Sequence, residues 1–275
     1  MKKFMMFLLI LVVAVCVYAQ DEVADKWTNS GQGALQFSQA SFSNWAAGGV
    51  NALSLNAFLT YSINYKHEKL SWDNNLDLGY GFQISDGVTQ KTDDKIDLSS
   101  TFAYEAGKNW AYTGMFSFKT QIMPGYSDTV LISNFMAPAY MLVSAGMTYK
   151  PGDIFKLTVS PLTGKMTVVA DQDLADLGAF GVDTGKKFRA EFGGFIKTII
   201  KKEIIENVLL QTKLELFANY FDSPLYLDVN WDLMLSMKIN KYLTTNISTQ
   251  LIYDHDVNTN VQFKEMFTFG LSFAL

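Results

Sequence analysis

Cysteine is nearly absent from this chain of 275 residues, whose single thiol, Cys16, lies in the first apolar run. No disulfide framework, thiolate metal site or thiol nucleophile is therefore expected in the body of the protein. Histidine is scarce, at 2 residues, and proline, at 5, is too rare for a collagen-like or low-complexity chain. Charge is also low. Only 18% of the residues are charged, against about a quarter in an ordinary soluble domain. After the first apolar run no stretch approaches the roughly 20 apolar residues that a membrane-crossing helix needs. With 49% hydrophobic and 14% aromatic residues, the composition is that of a membrane barrel. A formal charge of −5 removes the electrostatic basis for a nucleic-acid partner.

What is present begins with a targeting signature. Lys2 and Lys3 form a positive n-region, Phe4 to Val17 an apolar h-region, and Val17-Tyr18-Ala19 a small-residue cleavage site before Gln20. Residues 1–19 are expected to be a cleaved signal peptide, because the apolar run is too short for an anchor helix. Cleavage before Cys16, as in a lipoprotein, fits less well because Val15 stands where a small residue is normal.

From Leu53 onward the hydrophobic pattern has period two: Leu53, Leu55, Ala57, Leu59, Tyr61, Ile63 and Tyr65 alternate with a polar face. The same pattern predicts strands over Leu70–Ile84, Ile96–Tyr104, Trp110–Ile122, Ala139–Tyr149, Phe155–Pro161, Phe188–Ile200, Val208–Tyr220, Leu227–Ile239, Leu243–Tyr253 and Phe263–Leu275. Most of these are long enough for a tilted strand to cross a bilayer. Only closure into a barrel removes the edges that lipid cannot hydrogen-bond, so the expected fold is all-β, a transmembrane antiparallel up-and-down barrel. A weaker segment over Ala34–Phe42 brings the count to about twelve and leaves residues 20–33 as a short periplasmic segment. The alternative is ten wall strands with the N-terminal segment as a plug.

Short and long connections alternate. The short ones are expected in the periplasm together with both termini, and the long ones, Ser85–Asp94, Met123–Pro138, Asp171–Lys187, Phe221–Leu225 and Asp254–Gln262, outside the cell. Aromatic residues near strand ends suit the two headgroup girdles. The terminal run resembles the assembly signal of outer-membrane barrels, with Thr268, Gly270, Phe273 and Leu275 at its marked positions. That resemblance implies the barrel assembly machinery as a partner during biogenesis and outer-membrane lipid thereafter. A surface protein partner for the long loops stays open.

The stretch Asn44-Trp45-Ala46-Ala47-Gly48-Gly49-Val50-Asn51 resembles the hallmark of a family of Bacteroidota outer-membrane proteins, the domain of unknown function 3078, with Asn44, Trp45, Gly48, Gly49 and Asn51 carrying the likeness. The resemblance would run from about Trp27 to Leu275. It implies a barrel in the bacterial outer membrane and brings no catalytic residues or cofactor. Read from the residues alone, the segment is a glycine turn with an aromatic anchor.

His67 and His255 fall on opposite sides of the membrane in this reading, so no Ser-His-Asp constellation and no enzyme activity is expected. Asp171, Asp173, Asp176 and Asp183 lack EF-hand spacing. Neither a metal nor a cofactor is expected. The candidate functional residues are instead the charges on the inward parity. Lys95, Lys119, Lys156, Arg189, Lys197, Lys213, Lys238 and Lys264 are basic; Asp73, Asp77, Asp97, Glu105, Glu191, Glu215, Asp228, Asp232 and Asp254 are acidic. Glu265 alone falls on the outward parity of the predicted strands. Mixed signs point either to a narrow, weakly selective channel for small polar solutes or to a closed lumen filled with salt bridges, a structural or docking barrel. A lipid-handling enzyme ranks below both. Tyr140, Leu142, Phe195, Ile199, Leu209, Phe217, Met234 and Ile252 share the inward parity and are candidates for a constriction, a hydrophobic ligand site or lumen packing near a strand end.

Overall fold

The computed structural model describes residues 26–41, 51–85, 87–127, 129–222 and 226–275. The expected signal peptide and Asn44, Trp45, Gly48 and Gly49 lie outside the described residues, whereas Asn51 lies within them. Fourteen strands run in chain order: β1 (Trp27–Ala40), β2 (Ala52–His67), β3 (Leu70–Ser85), β4 (Val88–Gly107), β5 (Trp110–Thr120), β6 (Gly125–Ser127), β7 (Val130–Ser133), β8 (Ala139–Tyr149), β9 (Phe155–Val168), β10 (Phe188–Ile205), β11 (Val208–Asn219), β12 (Leu227–Lys238), β13 (Leu243–Asp254) and β14 (Asn258–Ala274). Twelve of them close into one antiparallel barrel, and β6 and β7 form a separate hairpin in the connection from β5 to β8. Closure is made by β1, which pairs with both β2 and β14. That settles the strand count at twelve and overturns the ten-strand alternative with a plugging N-terminal segment.

The burial pattern is inverted relative to a soluble protein. Among the most deeply buried side chains are Thr163, Thr167 and Ser160, while Trp27, Phe102, Trp110, Val143, Leu162, Phe192, Trp231 and Phe267 stand exposed. A polar interior inside an apolar exterior is the arrangement that hydrocarbon rather than water rewards. Trp27 packs on Tyr65 and Trp72, and Trp110 on Tyr149, building an aromatic girdle at the end that carries both termini. Among the described residues no helix is long and apolar enough to cross a membrane. At that same end the tips of two tight hairpins place Asn109 (φ 68°) and Asn207 (φ 64°) in the left-handed region, which asparagine tolerates better than most residues.

Several boundaries differ from the sequence reading. The first strand begins at Trp27, not Ala34, so residues 27–33 belong to the wall rather than to a segment outside it. Two expected loops are largely strand: β3 and β4 meet at a tight turn, with Ser85 opposite Val88, and β13 and β14 pair up to Asp254 and Asn258. Strand β9 does not stop at Pro161. It continues to Val168 through bulges against both neighbours, where Ala145 to Met147 faces Leu162 to Val159 and Gly193 to Phe195 faces Thr163 to Ser160. A bulge absorbs the residue that lacks an amide proton, and alternation resumes behind it. Gly146 belongs to the same device, because a Cβ there would lie 2.1 Å from the Val159 carbonyl oxygen.

Candidate functional site in the lumen

The inward charges meet in tiers. Near the end opposite the termini, Lys165 Nζ lies 2.6 Å from Asp228, 3.0 Å from Asp254 and 3.4 Å from Glu191. Arg189 completes this tier, pairing with Glu191 at 2.8 Å and Asp256 at 2.6 Å. In the middle, Glu215 receives Lys119 at 2.7 Å and Lys197 at 3.0 Å, while Lys213 holds Asp232 at 3.1 Å and Asp97 at 3.8 Å. Towards the terminal end, Lys156 stands 3.9 Å from Asp73. On the side away from these tiers, Lys264 reaches Asp93 at 2.9 Å.

Several of these pairs are chords across the lumen. In the ring order, β5 and β11 are separated by β8, β9 and β10, yet Lys119 and Glu215 touch. Twelve strands about 4.8 Å apart and tilted by about 40° would make a round barrel about 24 Å across, with roughly 21 Å between strands a third of the ring apart. Extended lysine and glutamate side chains joined by a hydrogen bond span only about 14 Å. The cross-section is therefore flattened, bringing β5 towards β11.

The flattening divides the lumen into two unlike halves. On β5, β8 and β9 many inward residues are small and polar, and Thr113, Thr148, Thr158, Ser160, Thr163 and Thr167 are all buried. Three of them form a hydroxyl ladder, Thr113 to Thr148 to Thr158, with both steps 2.8 Å. Phe195, Phe217 and Met115 pack beside them against Leu142, and Lys165 Nζ sits 5.3 Å from the Phe217 ring centroid. Small side chains leave room for these large ones, so this half is sealed. On β1 and β2, by contrast, the inward Gln32, Ser38 and Thr60 remain exposed, as does Lys95 on β4.

The mouth at the loop end is structured. Asp94 accepts the backbone N–H groups of Ile122 and Met123, and Lys91 donates to Asp94, Gln121 and the Met123 carbonyl. Ala137, Val169, Leu174, Ala175 and Val182 form a small apolar core between the two long connections. Asp171 caps the short helix Gln172–Asp176 by accepting from the N–H groups of Asp173 and Leu174, and it also accepts from Asn134 Nδ2 at 2.9 Å. The Asn134 bond first, and then the Leu174 amide, hold its carboxyl below the usual carboxylate range. Arg189 donates to the Gly181 carbonyl and to Asp256, tying the β9–β10 connection to the β13–β14 turn.

Residues 37–126 match the family described as Protein of unknown function (DUF3078). The resemblance read from Asn44 to Asn51 falls inside that match, which runs from β1 into β6 and is shorter than the Trp27 to Leu275 span expected. No curated protein matches this sequence. Among solved structures, the outer membrane phospholipase A of Escherichia coli is similar at 11% identity and a TM-score of 0.44, covering 93% of each chain. An outer membrane channel from Pseudomonas putida F1 is similar at 11% identity and 0.43, covering 94% of this chain and 97% of that one. The translocator domain of the autotransporter NalP from Neisseria meningitidis is similar at 11% identity and 0.41, covering 99% of this chain and 95% of that one. None of these likenesses carries an activity to this chain.

Of the seventeen predicted lumen charges, Asp77, Lys95, Glu105 and Lys238 make no ion pair among the described residues. Glu105 and Lys238 sit exposed near the terminal rim, and Asp77 lies directly opposite Asp97 on the neighbouring strand. Neighbours two apart on one strand are not always partners: Lys213 pairs with Asp232 and Asp97 rather than with Glu215, whereas Arg189 and Glu191 do pair. Lys165, Asp93 and Asp256 were missed by sequence reasoning. For Lys165 the signal existed, since Thr163, Lys165 and Thr167 alternate with Leu162, Gly164, Met166 and Val168 beyond Pro161. Among the described residues no group of His, Cys, Asp or Glu is placed to hold a metal ion. His255 stacks on Tyr226 with centroids 4.1 Å apart and meets Tyr253 Oη at 3.3 Å.

Three of the four predicted assembly residues, Gly270, Phe273 and Leu275, lie on the seam that closes the barrel, whereas Thr268 pairs only with Asn246 on β13. Phe273 pairs with Gly33, Gly270 with Gln36, and Leu275 exchanges two backbone hydrogen bonds with Gly31. A Cβ on residue 270 would lie 2.2 Å from the Leu35 carbonyl oxygen, so only glycine admits the approach of the first strand.

Proposed function

We propose that the protein is a bacterial outer-membrane barrel, with both termini in the periplasm, that carries a narrow passive passage for small polar solutes along the β14–β1–β2–β3 wall. The observation that carries this reading is the asymmetry of the lumen: inward Gln32 and Ser38 on β1 and Thr60 on β2 stay exposed, while Thr113, Thr148, Thr158, Ser160, Thr163 and Thr167 on β5, β8 and β9 are buried. The ion-paired tiers act as fixed filling for one half, which narrows the passage without closing it. Lys264 and Asp93 form the tie that spans the passage side, and its two signs fit weak selectivity.

The test is single-channel conductance of the refolded mature chain in a planar bilayer, with Lys264→Glu beside it. Steady conductance that becomes more cation-selective in the variant supports the passage and places Lys264 in its wall. The cross-lumen ion pairs favour a second reading, a filled barrel that docks a partner through its structured mouth. Silence from demonstrably folded protein decides for that second reading.

A further inference from the structure

The seam that closes the barrel is unlike the others. β1 and β14 are in register only from Gln32–Ala274 to Gln36–Gly270, five positions, whereas β12 and β13 hold ten and β11 and β12 eleven. Beyond Gln36 both strands continue, β1 to Ala40 and β14 back through Phe269 to Asn258, each paired on its other side. Among the described residues, four positions on each edge therefore face one another without a ladder, Phe37 to Ala40 against Phe269 to Met266. Backbone groups without partners are costly in hydrocarbon, so something other than lipid tails has to reach them.

Two further features mark this place. Gln36, at the last paired position, is 5% exposed, and its Oε1 has no hydrogen-bond partner. It is an acceptor that lacks a donor. On the outer face the gap is flanked by apolar rings left bare, Phe37 at 56% exposure, Phe267 at 68% and Phe269 at 38%. The inner side is polar and the outer side is aromatic, and both reach the same break in the wall.

We propose that this break is a lateral opening that admits a bilayer lipid, its hydrogen-bonding head group entering the gap to meet Gln36 and the unladdered backbone of 37–40 and 266–269, and its tail lying on the outer face along Phe37, Phe267 and Phe269. The lipid is a ligand of the wall, whether or not the lumen conducts. A head with ammonium or hydroxyl protons satisfies the Gln36 acceptor, and the phenylalanines supply the apolar flanks that such a tail prefers.

Two measurements on the full chain in phosphatidylethanolamine-containing vesicles test it. Paired cysteines at Ala34→Cys and Ser272→Cys lie across the intact part of the seam and should form a disulfide under mild oxidant. Those at Ser38→Cys and Thr268→Cys, which would be partners if the ladder continued, should stay free. A fluorophore on Thr268→Cys, on the lumen side, should be quenched by nitroxide-tailed phosphatidylethanolamine several-fold more than one on Ser117→Cys, on β5 across the barrel, and Gln36→Leu should reduce that quenching. Disulfide formation at 38 and 268 would overturn the opening. Free thiols there without quenching would mean that water alone fills the gap, and would overturn the lipid. If Gln36→Leu fails to fold, the Thr268 to Ser117 contrast still decides.

Discussion

Replacing Glu215 by glutamine isolates the value of the middle tier. The wild-type carboxylate, 12% exposed, receives Lys119 at 2.7 Å and Lys197 at 3.0 Å, and Asn230 Nδ2 lies 3.3 Å away. At about 3 Å and an effective dielectric near 20, each pair attracts by roughly 5 to 6 kcal/mol before desolvation. That gross attraction is partly cancelled by the cost of taking the ions from water. Removing one member, however, leaves its partners with the cost and none of the gain, and breaking a buried pair typically loses about 3 to 5 kcal/mol. Two lysines are orphaned here, but the amide retains a hydrogen bond, so we expect a loss of about 3 to 4 kcal/mol. The assay is reversible urea unfolding in lipid, followed by tryptophan fluorescence and heat-modifiable mobility. Glu206→Gln, on an exposed hairpin tip, is the control and should fall within about 0.5 kcal/mol of wild type. Lys119→Met added to Glu215→Gln should recover part of the loss, because one orphaned charge is removed. A loss below about 1 kcal/mol would mean that Lys119 and Lys197 are hydrated without Glu215, and the filled half of the lumen would have to be given up.

Leu214→Arg, opposite Trp231 on the outward parity, should cost about 2 to 4 kcal/mol if it sits at mid-bilayer, against little for inward Gln211→Arg; equal losses in the same unfolding assay would reverse the assignment of faces. Gly270→Val should prevent closure of β14 on β1 and abolish the heat-modifiable band, while Gly114→Ala, whose Cβ meets nothing within 4 Å, should leave it intact. Asp171→Ala removes the cap of the helix Gln172–Asp176 and should cost that segment about 1 kcal/mol, read by hydrogen exchange of residues 172–176. Because the folded-state carboxyl of Asp171 is held below its ordinary value, its contribution is complete above the ordinary carboxylate range and is lost as the pH falls through the lowered value. Protection of this segment, taken as exchange relative to the intrinsic rate at each pH, should therefore fall on acidification in the wild type and be insensitive to the same step in Asp171→Ala.

Alternation of residue types carried most of the architecture, because a strand in a barrel wall faces lipid and lumen in turn and each face tolerates a different chemistry. From it follow eleven of the wall strands and the inward parity of Glu215, Lys213 and Arg189; the twelfth came from the need for one more crossing, and the pairing of Gly270 and Phe273 with β1 came only from the structure. The residue-by-residue boundaries did not follow where local chemistry misleads. Pro161 reads as a strand end, yet a bulge that draws on Gly146 and the register of two neighbouring strands lets β9 run on to Val168 and bring Lys165 into the lumen. Period two determines which way a side chain points and says nothing of the strand it meets across the barrel. Whether Lys119 reaches Glu215, why Lys213 ignores Glu215 for Asp97, and where β1 parts from β14 depend on register, tilt and the flattening of the ring. Those are decided by the packing of Phe195, Phe217 and Met115 against small hydroxyl residues from other strands, contacts between segments far apart in the chain that only the closed barrel brings together.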